Sequence, residues 1–202
     1  MTLPTERILP IVTIDSADDA DPLAEAFLAG GIHQVEVTLR TPAGLESIRI
    51  MSRHSGLLVG VGTALTPEHV EKAADVGARF VISPGLIEPV VTRALQLGLT
   101  PIPGIATATE LAQATALGLE VLKFFPAEQL GGVSTISALA AVFPGVRFMP
   151  SGGIGPSNAA AYLEHPAVAA IGGSWMAPRD AIRTKDFDRV TALCVAAADL
   201  VP

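Results

Sequence analysis

Lysine, cysteine and aromatic residues are all scarce in this chain of 202 residues. Only three lysines occur, and the whole complement of 13 basic residues is outnumbered by 20 acidic ones, leaving a net charge of −7. That balance argues against nucleic acid and against anionic membrane as partners. The single cysteine, Cys194, cannot form a disulfide within the chain, and its apolar surroundings mark it as a small core residue. Aromatics make up 4% of the sequence, so the core must rest on Ala, Val, Leu and Ile. The uncharged stretch 129–146 is broken by Gly, Ser and Pro, so no membrane span is expected. The opening MTLPTER lacks the basic and apolar regions of a signal peptide. A soluble, cytoplasmic protein is the expectation. His33, His54, His69 and His165 are scattered without ligand spacing, so no metal site is expected, and no early Gly-x-Gly-x-x-Gly signals a dinucleotide.

What the chain has is repetition. A short apolar strand, a turn and an Ala/Leu-rich amphipathic segment recur about every 25 residues. Strands are expected at 8–14, 34–39, 57–62, 79–83, 99–103, 119–124, 146–150 and 168–172. Helices are expected at 17–29, 43–54, 67–76, 86–97, 107–117, 132–142, 156–163 and 186–199. Ser16, the Thr66-Pro67-Glu68 run and the segment from Gly155 to Asn158 open helices, while Gly77, Gly98 and Gly118 close them. Alternation of this kind implies a parallel sheet, and eight units without a linker point to one compact (β/α)8 TIM barrel domain over 1–202. A doubly wound open sheet is the alternative.

Barrel chemistry lies at the C-terminal strand ends. The segment 119–126 (LEVLKFFP) places Lys123 between apolar neighbours, on one face with Val121 and Phe125, and no acid adjoins it on that strand face. A charged amine is costly to bury, and the neutral form is a nucleophile able to make a Schiff base with a ketone. Snorkelling to water is the plain alternative. On the second strand Glu36, Thr38 and Arg40 share one face, the inward one, since Val35, Val37 and Leu39 must pack on helices. Glu36 and Arg40 are expected to lie side by side there. Thr63 puts a hydroxyl where the third strand opens, and Pro84 ends the fourth. Strands seven and eight end in glycine pairs, Ser151-Gly152-Gly153 and Gly172-Gly173-Ser174, whose bare backbone amides suit a phosphate. A side chain at Gly173 is expected to fill the space of the phosphate oxygens.

Together these segments resemble the 2-keto-3-deoxy-6-phosphogluconate (KDPG) and 4-hydroxy-2-oxoglutarate aldolases. The resemblance runs from Gly30 to Trp175. It is carried by Glu36-Val37-Thr38-Leu39-Arg40-Thr41, Val61-Gly62-Thr63, Ile82-Ser83-Pro84-Gly85, Pro103-Gly104-Ile105, Lys123-Phe124-Phe125-Pro126-Ala127-Glu128, Ser151-Gly152-Gly153-Ile154 and Gly172-Gly173-Ser174-Trp175. It implies a Schiff-base aldolase without metal or cofactor, acting on a small phosphorylated keto-deoxy sugar acid and assembled as a homotrimer. By this likeness Lys123 forms the imine and Glu36 moves protons. Arg40 and Thr63 hold the pyruvyl carboxylate, Pro84, Phe125 and Ser151 contact substrate, and Gly152, Gly153, Gly173 and Ser174 take the phosphate. Two positions depart from the family's usual pattern. Val61 replaces alanine, with a narrower pocket wall as the expectation, and Ser151 replaces threonine. Cleavage of the galactonate epimer or of 4-hydroxy-2-oxoglutarate, and a non-catalytic sugar-phosphate barrel, are the competing readings.

Overall fold

Each predicted strand forms, and each lies beside its predecessor. The computed structural model describes residues 6–201, so Met1 to Thr5 and Pro202, including most of the N-terminal stretch read above, lie outside the described residues. The strands are β1 (Ile8–Val12), β2 (Gln34–Thr38), β3 (Leu58–Gly62), β4 (Phe80–Ser83), β5 (Thr100–Ile105), β6 (Val121–Phe124), β7 (Arg147–Pro150) and β8 (Ile171–Gly173). They form one parallel sheet in the order β7-β6-β5-β4-β3-β2-β1-β8. Bridges from Phe148 to Val168 and from Ser151 to Gly172 join its two ends. A doubly wound sheet would reverse its strand order at a switch point. No reversal occurs here, so the (β/α)8 barrel stands and the open sheet does not.

The helices follow the strands: α1 (Ala20–Ala29), α2 (Gly44–Met51), α3 (Pro67–Asp75), α4 (Glu88–Gln96), α5 (Ala108–Ala116), α6 (Gly132–Val142), α7 (Ala159–Leu163), α8 (Arg179–Arg183) and α9 (Phe187–Ala198). Thr66 caps α3 by accepting from the His69 amide, with Pro67 in the first turn. Gly77, Gly98 and Gly118 all have positive φ after α3, α4 and α5. Two departures from the expected helices have local causes. α7 begins three residues later than expected, because Asn158 closes a turn, accepting from the Gly155 amide at 2.8 Å and donating to the Gly153 carbonyl at 3.0 Å. α8 was not anticipated, since five residues are too few to display a helical period.

Two apolar layers result. The outer one lies between strands and helices and holds Val35, Val37, Val59, Val61, Leu122, Phe124 and Phe148 with the helix faces. The inner one plugs the lower barrel with Leu9, Phe80, Ile82, Ile102, Met149 and Ala170. The ring of Phe80 occupies the space beside Gly60, where any Cβ would collide with it. Filling the lower barrel this way confines inward polar groups to the upper end. Val61 is fully buried in the outer layer, so it cannot narrow the pocket wall; the inward positions of β3 are Gly60 and Gly62. Cys194 is buried on α9, as its composition suggested. Among the described residues no helix is long and apolar enough to cross a membrane.

Candidate active site

Lys123 on β6 and Glu36 on β2 meet across the upper barrel. The Lys123 Nζ stands 3.6 Å from Glu36 Oε1, and the two residues are 6% and 1% exposed. The lysine without an acid beside it on its own strand therefore has one across the sheet. Gly62 of β3 makes this possible, because a Cβ there would collide with Oε1 and lie 2.6 Å from Glu36 Cγ. The second carboxylate oxygen, Oε2, is buried with no hydrogen-bond partner among the described residues. Unpartnered buried polar atoms are costly and rare, so this oxygen is open to a ligand's donor or a water. Lys123 Nζ also lies 5.2 Å from the centre of the Phe125 ring.

The expected Glu36–Arg40 pair does not form. β2 ends at Thr38, so Arg40 has passed beyond the strand and is exposed, with no ion pair among the described residues. Thr38 between them is fully buried and stitches β2 to β1, donating to the Val12 carbonyl at 3.0 Å and lying 2.9 Å from the Thr13 hydroxyl. A barrel strand carries one inward residue per layer, so Glu36 turns to the centre while Arg40 sits at the rim.

A cavity of about 550 Å³ opens over the pair. Arg40, Lys123, Phe125, Ser151, Gly152, Gly153, Gly173 and Ser174 all line it, which gathers eight of the eleven anticipated site residues. Glu36 lies buried at the side of Lys123 rather than on the wall. Thr63 and Pro84 are not on that wall. Pro84 is exposed, with its carbonyl packed where a Gly104 side chain would be. Thr63 is half-buried with φ +60°, a left-handed conformation that a β-branched residue seldom adopts and that clusters at functional sites.

Ser151 Oγ is buried and also lacks a partner among the described residues. Beyond it Gly152 and Gly153 take φ +96° and +82°, and side chains there would approach Pro126 to 3.1 Å and Glu128 to 2.7 Å. Backbone bonds pin this turn to the end of β6: Ala127 N donates to Ser151 O at 2.8 Å and Glu128 N to Gly152 O at 3.1 Å. At Gly173 the expectation is corrected. A Cβ there would collide with the ring of Trp175, so a side chain meets that ring rather than empty ligand space.

Thr13, Trp175 and Arg179 also line the cavity and were not anticipated. Thr13 was legible, since Leu9, Ile11 and Thr13 alternate along and just past β1. Arg179 was not, because it lies on the unforeseen α8. Its Nε donates to Asp15 Oδ2 at 3.0 Å and its Nη2 to Oδ1, while Arg183 Nε donates to Oδ2 at 2.7 Å. These two guanidiniums hold the Asp15 carboxyl down at about 2. None of the four histidines lines the cavity; His33 and His54 meet Glu6 and Asp21, and His165 meets Ser137. Among the described residues no three His, Cys, Asp or Glu side chains are grouped to hold a metal.

A buried amine with a carboxylate at hand, under a cavity rimmed by a free guanidinium and glycine amides, is equipped to attack a carbonyl and move its protons. The profile of the KDPG and KHG aldolase family matches residues 1–193. The chain belongs to that family. The 2-dehydro-3-deoxy-phosphogluconate aldolase of Treponema pallidum is 48% identical over 188 residues, covering 93% of this chain and 90% of that protein. The 2-keto-3-deoxy-6-phosphogluconate aldolase of Zymomonas mobilis, solved with 3-phosphoglycerate, superposes with a TM-score of 0.91 at 40% identity, over 96% of this chain and 91% of that one. KDPG aldolase from Legionella pneumophila, with pyruvate captured at low pH as a covalent carbinolamine, gives a TM-score of 0.92 at 39% identity, over 95% and 94% of the two chains.

Proposed function

We propose that this chain is a class I aldolase that cleaves 2-keto-3-deoxy-6-phosphogluconate to pyruvate and glyceraldehyde 3-phosphate. The observation that carries the reading is the Lys123 amine 3.6 Å from the Glu36 carboxylate, beneath a cavity lined by two guanidiniums and glycine amides suited to an anionic substrate. Lys123 Nζ attacks the C2 ketone, and the carbinolamine loses its hydroxyl as water to leave a cationic imine. The C3–C4 electron pair flows into that imine, giving an enamine, while Glu36 receives the C4 hydroxyl proton directly or through one water. The aldehyde departs, C3 of the enamine takes a proton, and water returns to C2 to free pyruvate and the amine. No metal or cofactor is needed, because the iminium nitrogen is itself the electron sink.

Arg40 and Thr63 take the pyruvyl carboxylate in this reading and Pro84 contacts substrate; of the three, Arg40 lines the cavity, and the other two roles rest on the family likeness. Ser151 offers its unpartnered hydroxyl, and Phe125 covers the amine. Gly152, Gly153, Gly173 and Ser174 surround the phosphate with backbone amides and one hydroxyl. A role as a non-catalytic binder leaves the buried amine–carboxylate pair without purpose. We further read the chain as a single-domain cytoplasmic homotrimer: eight linker-free strand–helix units support the single domain, composition supports the cytoplasmic reading, and the family likeness supports the trimer. The deciding experiment is a side-by-side cleavage assay on the phosphogluconate-derived acid, its galactonate epimer and 4-hydroxy-2-oxoglutarate. Fastest turnover of the first is expected; turnover of none, with no pyruvate adduct under borohydride, defeats the aldolase reading.

A further inference from the structure

The glycine loops offer a phosphate only neutral donors, yet the cavity has a second guanidinium besides that of Arg40. Arg179 lines the same wall as Gly173 and Ser174. Two of its nitrogens, Nε and Nη2, are committed to Asp15, while Nη1 donates to nothing among the described residues. A guanidinium paired one-to-one with a carboxylate would present little net charge. Here Arg183 also binds Asp15, so two cations share one anion and the cluster carries a net positive charge. In a chain of net charge −7 that excess is local and placed at the cavity mouth. Asp15 fixes the plane of the guanidinium through its two-point contact, leaving the remaining fork edge for another anion.

We propose that Arg179, oriented by Asp15 and with its charge left uncancelled by Arg183, is a specificity-determining contact for the phosphate group of the substrate. Arg179 touches the ligand; Asp15 is a positioning residue that acts through it. This rests on the aldolase reading above and deepens it, by separating phosphorylated from unphosphorylated keto acids through a charged rather than a neutral donor. Charge-assisted bonds are about twice as strong as neutral ones, though solvent at an exposed site reduces the difference.

The test compares kcat/KM for the phosphorylated acid and for 4-hydroxy-2-oxoglutarate, in the full-length protein and in Arg179→Gln, Arg179→Lys and Asp15→Asn. The ratio of the two is expected to fall roughly tenfold in Arg179→Gln through KM for the phosphorylated acid, the size of one screened charge-assisted contact. Arg179→Lys should restore part of it, since charge is kept and the fork is lost. Asp15→Asn should give a smaller fall of the same sign. Calorimetric binding of inorganic phosphate, which needs no turnover, should weaken in Arg179→Gln. An unchanged substrate ratio, or phosphate affinity equal to that of the parent protein, overturns the proposal. Failure of the parent protein to cleave either acid would instead strike the aldolase reading, and the phosphate titration would still judge Arg179. Matching melting temperatures across the variants exclude a folding defect at this exposed residue.

Discussion

Lys123 Nζ on β6 and Glu36 Oε1 on β2 stand 3.6 Å apart, and the residue that permits this is a third one, Gly62 on β3. The amine is thus neither alone in an apolar wall nor free to snorkel. It lies buried beside the group that can carry its protons.

Borohydride added with pyruvate should leave a permanent adduct on the peptide containing Lys123, read by mass spectrometry. Lys123→Arg should abolish both adduct and turnover, because guanidinium stays protonated. An adduct on Lys72 or Lys185 would move the site elsewhere.

Glu36→Gln is expected to fold and to keep some trapping, while turnover falls by about 10²–10⁴-fold, the range for a positioned acid–base group. Steady-state rates normalised to folded protein decide this. A near-normal rate per folded molecule would make Glu36 a structural residue.

Gly62→Ala tests the geometry without touching either group. Its backbone is not left-handed, so alanine brings no backbone strain there, but the methyl must displace the Glu36 side chain. A shift of about 1 Å in a catalytic group costs on the order of 10²-fold, so kcat should fall by that order with the melting temperature little changed. Undiminished kcat would mean that the placement of Glu36 does not matter.

Cys194 should resist alkylation in the folded protein. Burial pushes its thiol up to about 12, so almost no thiolate exists at pH 8, and the sulfur is enclosed by the helix layer. Iodoacetamide should modify it quickly only in denaturant; rapid labelling of the native protein would contradict the packing of α9.

Asp15 should titrate at about 2 rather than at its ordinary 3.8. Its folded value is depressed, so the stabilisation it contributes is present above pH 3.8 and is lost as pH falls through about 2. The group is exposed, so this contribution is modest and should shrink with salt. A carboxyl carbon NMR titration of the Asp15 resonance, repeated in Arg179→Gln, should show its midpoint rising; an unmoved midpoint would mean that the ion pair is not kept in solution.

The strands, the barrel and the glycine loops were legible because they depend on local pattern. Periodic apolar residues, caps at Ser16 and Thr66 and left-handed glycines at 77, 98 and 118 act within a few residues of themselves. The inward face of β2 was legible for the same reason. Even the direction of Val61 was present in the alternation of Val59-Gly60-Val61-Gly62, where the pocket side is the glycine side.

What tertiary structure alone decided are the relations between strands distant in sequence. The shear of a closed barrel, not the spacing along β2, chose Lys123 rather than Arg40 as the partner of Glu36. Packing of the Trp175 ring filled the space where a Gly173 side chain would lie, while the Gly173 backbone stayed on the cavity wall. Closure of β8 onto β1 brought α8 against the first loop, joining Arg179 and Arg183 to Asp15 more than 160 residues earlier. A chain's own sequence specifies which side chains face inward. Which of them touch depends on how far each strand is displaced along its neighbour, and that is fixed only when the sheet closes.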